Sequence, residues 1–145
     1  KKLNAPNQWF PEGVNVSFVT HFRKDEMLIQ TYERGVGLTE SCGTAMAASV
    51  IVAAVCGWFP YDKTITIYTK GGYVNVVPHK GKEGLWAELI GNATYSYHGE
   101  ASIAEDGNAL LDYKIIKIFE EEDEYQKMKK KSKEKIFSVL GRHSF

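Results

Sequence analysis

The residues best suited to chemistry stand together in the string "ERGVGLTESCGT", residues 33–44. Its thiol, Cys42, falls where a polar, glycine-bearing loop gives way to "GTAMAASVIVAAVCGW", which is apolar on every side of a helical wheel apart from Thr44 and Ser49. A helix beginning at Gly43 puts Cys42 near its N-cap, where unpaired backbone N–H groups and the dipole favour negative charge. The same N–H groups, with the hydroxyl of Thr44, offer a site for a carboxylate or phosphate. A thiolate and an anion pocket thus come from one piece of architecture; the alternative for Cys42 is the packing role of most free cysteines. Just upstream, Glu33 and Arg34 can meet both charges of an amino acid, or form a surface pair worth under about 1 kcal/mol. Asn15 interrupts an apolar strand, either as a ligand-facing group or as a solvent-facing one. Cys56, deep in the apolar run, reads as a small core hydrophobe. The four histidines, His21, His79, His98 and His143, show no metal-type spacing, so no metal site is expected.

Periodicity indicates the elements that must position these groups. "VNVSFVTHF" and "MLIQTY", joined by the charged turn "RKDE", read as a β-hairpin. The run from Gly43 contains β-branched Val50, Ile51, Val52 and Val55, yet it is too long for an ordinary strand and reads as a helix with Gly57 at its end. A helix with no polar face must be buried all round. "TITIYT" and "YVNVVP" form a second hairpin through Lys70-Gly71-Gly72, and "LWAELI" with "TYSYHGEASI" a third pairing. The expected fold class is α+β: a curved mixed or antiparallel sheet of about six strands wrapped around a central buried helix, since a flat sheet covers only one side. Residues 1–107 are assigned to this domain. Residues 108–145 read as an extension, a strand or helix followed by an amphipathic charged helix packed on the domain, with Asp123 and Lys127 as one i, i+4 pair.

Composition narrows the function. A chain of 145 residues, 43% of them hydrophobic, is large enough for one core. Eighteen basic and eighteen acidic side chains cancel, which argues against a general nucleic-acid or membrane-surface binder and for a small ligand. Two cysteines fourteen residues apart on one helix lie roughly 21 Å apart, too far to be bonded. With no signal-like or membrane-spanning segment in the sequence, a reducing, cytoplasmic setting is expected. The opening "KKLNAPNQWF" has no initiator methionine and starts mid-pattern, as a fragment would.

"GVNVSF", "YERGVGLTESCGT" with its apolar helix, "GGYVNV" and "YHGE" together resemble the C-terminal half of the diaminopimelate epimerases, cofactor-independent amino-acid racemases. The resemblance runs from about Phe10 to Ile103, and its most specific part is E-R-G-x-G-x-T-x-x-C-G-T with Asn-Val eighteen residues before the Glu. It implies two pseudo-symmetric domains facing across a cleft, each giving one cysteine: one thiolate takes the α-proton and the other thiol returns a proton to the opposite face. No pyridoxal phosphate, other cofactor or metal is implied. By this resemblance Cys42 is one acid/base cysteine and Glu33 assists at the α-carbon centre and contacts the amine. Arg34 binds the distal carboxylate, Asn15 contacts substrate, and Gly43 and Thr44 hold a carboxylate through their N–H groups. The expected partners are diaminopimelate, an N-terminal domain of the same protein carrying the second cysteine, and a second copy in a homodimer. Racemases of histidine or proline type, or a non-catalytic thiol module that binds or senses oxidation, are the alternatives. Ala45 and Met46 depart from the glycine usual after C-G-T, which predicts a narrower carboxylate pocket; Asn92 departs from the commoner Gly-Pro-Ala.

Overall fold

Alternating apolar and polar side chains make strands of the segments either side of the alanine- and valine-rich run. The computed structural model describes residues 2–141, so the expectations for His143 lie outside the described residues. β1 (Val16–Arg23) and β2 (Glu26–Glu33) form an antiparallel hairpin, and β3 (Gly37–Leu38) folds back on the end of β2. Then come α1 (Gly43–Val55), β4 (Ile65–Thr69), β5 (Gly72–Gly81) and β6 (Gly84–Ile90). The sheet order is β1-β2-β4-β5-β6, with β3 beside β2. β2 and β4 run parallel, which requires a crossover, and α1 lies within that crossover.

The described residues form two units. The first comprises the chain up to Gly91 together with the stretch from Lys129 onward; the second is Asn92–Met128. In the first, Met46, Val50 and Ala53 of α1 pack with Met27 and Ile29 of β2 and Ile67 of β4, at the helical spacing that places them on one face. The helix lies against β5, β6 and β1, as a curved sheet demands.

The sheet does not close, however. Val52 and Val55, on the opposite stripe of α1, are each 60% exposed, which corrects the expectation of burial all round. A helix that is apolar everywhere carries no signal for which side the strands leave open. Cys56 is likewise exposed, at the C-cap and not in the core, with Gly57 following at φ +77°.

The third pairing also differs from expectation. β6 pairs with β5, bringing His79 opposite Trp86, across a tight turn whose Gly84 has φ +127°. Such a local turn fixes its own hairpin, leaving the next strand to find another partner. That strand, β7 (Tyr97–Ile103), pairs antiparallel with β8 (Leu110–Ile118) in the second unit, with Glu100 and Lys114 bridged at 3.1 Å. α2 (Glu121–Leu140) opens with four acidic residues, Glu121 to Glu124, which suit the positive end of a helix dipole. Lys127 pairs with Glu124 at 2.8 Å, three residues back, and not with Asp123; both spacings are neighbours on a helix.

From Lys129 onward α2 belongs to the first unit, where Ser132 and Ile136 are buried. Lys135 reaches Glu26 at 2.8 Å, and the Tyr68 hydroxyl donates to the same carboxylate at 3.0 Å. Burial pushes the Glu26 carboxyl up, but the hydrogen bonds from Lys135 and Tyr68, with the charges of Lys135 and Arg23, outweigh it and leave the group below its usual range. Burial, then the bond to Glu26, pushes Tyr68 up to about 12, so it remains a donor at neutral pH. A lowered carboxylate pKa stabilises the fold above the unfolded value and loses that contribution as pH falls through the folded one. Wild-type protein is therefore expected to lose stability below about pH 4.5 more steeply than Glu26→Gln, as read by urea melts across pH 3–6. Parallel pH profiles would remove this assignment.

Candidate active site

The site is built at the start of α1. Cys42 is the N-cap, in extended conformation at φ −144° and ψ 101°, and its side chain makes no capping hydrogen bond. The first intrahelical bond runs from the Met46 N–H to the Cys42 carbonyl at 3.0 Å. The N–H groups of Gly43, Thr44 and Ala45 therefore precede the first intrahelical donor, the Met46 N–H, and are the donors that a helix start presents to an anion. The half-buried Cys42 thiol lies 3.6 Å from the Thr44 hydroxyl, so thiol, hydroxyl and helix N-terminus share one place.

Gly43 matters for a steric reason. A Cβ there would stand 3.0 Å from the end of Leu89 on β6, so glycine lets the helix start close to that strand. Ala45 turns toward the core cluster and packs against it.

The remaining candidates gather in two further pairs. The Asn15 carboxamide oxygen accepts from the Arg34 backbone N–H at 2.9 Å, joining the lead-in to β1 to the end of β2. Glu33 accepts a 2.6 Å hydrogen bond from the Thr39 hydroxyl, and the Thr39 N–H donates to the Thr31 carbonyl at 3.2 Å. The loop that leads to Cys42 is thus tied at Thr39 to the glutamate that begins it. Among the described residues no hydrogen bond or ion pair links Cys42 directly to Glu33, Arg34 or Asn15.

Two partners escaped sequence reasoning. Thr39 is the threonine within E-R-G-x-G-x-T, and its three-residue distance from Cys42 was the available signal. Glu12 lies 3.6 Å from the Arg34 guanidinium, and its carbonyl accepts from the same group at 3.3 Å. Twenty-two residues separate the two in sequence, and no pattern connects them.

An apolar groove with Val19, Val52 and Trp58 on its walls runs along α1, and it is Cys56 that borders it, not Cys42. His21 packs edge-on against Phe59, and His79 holds Asp62 at 2.6 Å while stacking on Trp86. Among the described residues no three His, Cys, Asp or Glu side chains are grouped to hold a metal, and no helix is long and apolar enough to cross a membrane.

Fold and site together define an α+β domain that offers a cysteine, a hydroxyl and the backbone N–H groups of a first helical turn at the start of a core helix. The family described as Diaminopimelate epimerase matches residues 2–95, so this chain belongs to that family. Curated relatives agree. A diaminopimelate epimerase of Enterococcus faecalis is 40% identical over 125 residues, 86% of this chain and 38% of the relative. One from Clostridium acetobutylicum is 44% identical over 100 residues, 68% of this chain and 30% of the relative. One from Listeria monocytogenes is 37% identical over 133 residues, 91% of this chain and 40% of the relative. The chain thus spans 30–40% of the length of these proteins.

Proposed function

We propose that this chain is the C-terminal half of a diaminopimelate epimerase, its catalytic domain lying within residues 1–107 and residues 108–145 forming an extension. The observation that carries the reading is Cys42 at the N-cap of α1, beside Thr44, within a chain of that family. The reaction interconverts LL- and meso-diaminopimelate, in lysine and peptidoglycan precursor synthesis. As base, the Cys42 thiolate takes the α-hydrogen as a proton, and the C–H electron pair stays on the substrate as a carbanion. A thiol on the opposite face, carried by an N-terminal domain, returns a proton with inversion; as acid, Cys42 plays the return role.

The α-proton is very weakly acidic, so charge that develops on its removal needs donors already in place and water excluded. Gly43 and Thr44 supply such donors for the carboxylate next to the carbanion. Glu33, held by Thr39, faces the amine and assists at the α-carbon; Arg34 neutralises the distal carboxylate, and Asn15 orients it. No pyridoxal phosphate or metal takes part. One wall of a cleft and one thiol do not complete this reaction, so the chain alone is inactive. Homodimerisation and a reducing, cytoplasmic setting, which suits two unbonded cysteines, belong to the same reading.

The test is solvent exchange. Full-length protein incubated in deuterium oxide with LL- or meso-diaminopimelate is expected to incorporate deuterium at the α-carbon from either stereoisomer, while the 145-residue chain does not. A panel of amino acids probes Arg34: faster turnover of histidine or proline, which have no distal carboxylate, would replace this substrate with another.

A further inference from the structure

The loop that delivers Cys42 is gripped from two sides. On one side is the turn between β4 and β5: the Gly71 N–H donates to the Glu40 carbonyl at 2.8 Å, and a Cβ on Gly71 would stand 3.1 Å from that oxygen and from the Ser41 Cβ. On the other is α2, whose Lys129 and Lys133 ammonium groups lie 3.1 and 3.8 Å from the Glu40 carboxylate. Turn and helix are themselves joined, since the fully buried Ser132 hydroxyl lies 2.8 Å from the carbonyls of both Thr69 and Gly72. Helix, turn and loop therefore form a closed ring of contacts that ends two residues before the thiol.

We propose that Glu40, held by Lys129 and Lys133, is a positioning residue that fixes the approach of Cys42 to the start of α1. Glu40 touches no reacting atom in this scheme and acts through the backbone of residues 40–42. This rests on the reading that Cys42 is the thiol acting on substrate. The Lys129 hydrogen bond, partly opposed by burial and reinforced by the charges of Lys129, Lys133 and Lys70, holds the Glu40 carboxyl below its usual range, so the grip persists through neutral pH. The lysines of α2 as a phosphate site, and the apolar groove beside Cys56, are weaker candidates, because three of those lysines already meet Glu40 or Glu26 and nothing identifies an occupant of the groove.

The experiment separates positioning from charge. In the full chain with Cys56→Ser, so that one thiol remains, the rate of Cys42 alkylation by neutral iodoacetamide is measured at fixed pH. Glu40→Gln and the double variant Lys129→Gln/Lys133→Gln are each expected to raise the rate at least threefold, because each frees the half-buried thiol. A through-space charge effect would move the two in opposite directions, since one removes a negative charge and the other two positive ones.

Opposite signs, or no change in either, overturn the proposal. Circular dichroism confirms the fold, and if Glu40→Gln does not fold, the lysine variant decides alone. In full-length protein the same substitutions are expected to lower kcat about tenfold with KM within twofold; a change confined to KM also overturns it. Failure of wild-type protein to exchange the α-hydrogen of diaminopimelate would remove the functional reading and leave the alkylation result standing.

Discussion

Replacing Cys42 by serine in the full-length protein is expected to lower epimerisation by about a thousandfold or more and leave the fold at least as stable as before. The first half follows from the chemistry: general acid/base groups contribute about 10²- to 10⁴-fold, and a hydroxyl is a far poorer carbon base than a thiolate. The second half follows from the cap. Cys42 occupies an N-cap with extended backbone and no side-chain capping bond, whereas serine is among the preferred caps and gains a hydrogen bond to the first turn, worth about 0.5–1 kcal/mol. Activity and stability should therefore move in opposite directions at one position. Isotope exchange and thermal melts on the same samples test this, and robust turnover by the serine variant would sink the proposed role of Cys42.

The largest stability effect is expected at Ile67. Its side chain is fully buried at the centre of the sheet, between Met27 of the parallel strand β2 and Val74 of β5. Strands fixed on both sides cannot collapse into a void, so Ile67→Ala should cost about 2–5 kcal/mol and Ile67→Val about 0.5–1.5. Against the 5–15 kcal/mol typical of a whole domain, the alanine change threatens the fold itself. Urea unfolding followed by circular dichroism should show a midpoint displaced by about 1 M or more for alanine, with valine between it and wild type. A displacement within error would mean that this strand is not the core.

Sequence and structure agree where the information is local. The hairpin of β1 and β2, the hairpin of β4 and β5, and the helix starting at Gly43 each follow from a run of residues and the turn or cap beside it. Agreement ends where a partner must be chosen. β7 carries a good strand pattern, but nothing within it says that Leu110–Ile118 is its mate. Likewise, "VIVAAV" declares an apolar helix without declaring that Val52 and Val55 meet the open side of the sheet. At the site, the thiol and its helix were legible because cap chemistry is written in adjacent residues. The ties of Glu33 to Thr39 and Arg34 to Glu12 were not, because side-chain contacts across loops leave no period to read.

The parallel pairing of β2 with β4 makes the whole stretch from Arg34 to Thr64 a single connection between two neighbouring strands, and Cys42 sits inside it. The entropy of closing such a connection grows only with the logarithm of its length, about 0.6 kcal/mol for each doubling. Residues gained or lost around Val36, in the exposed tip between β2 and β3, would thus cost the sheet little while reshaping the start of the loop that leads to Cys42. A lineage built on this plan can vary one surface tip, with the strands and the cysteine at the helix start inherited unchanged.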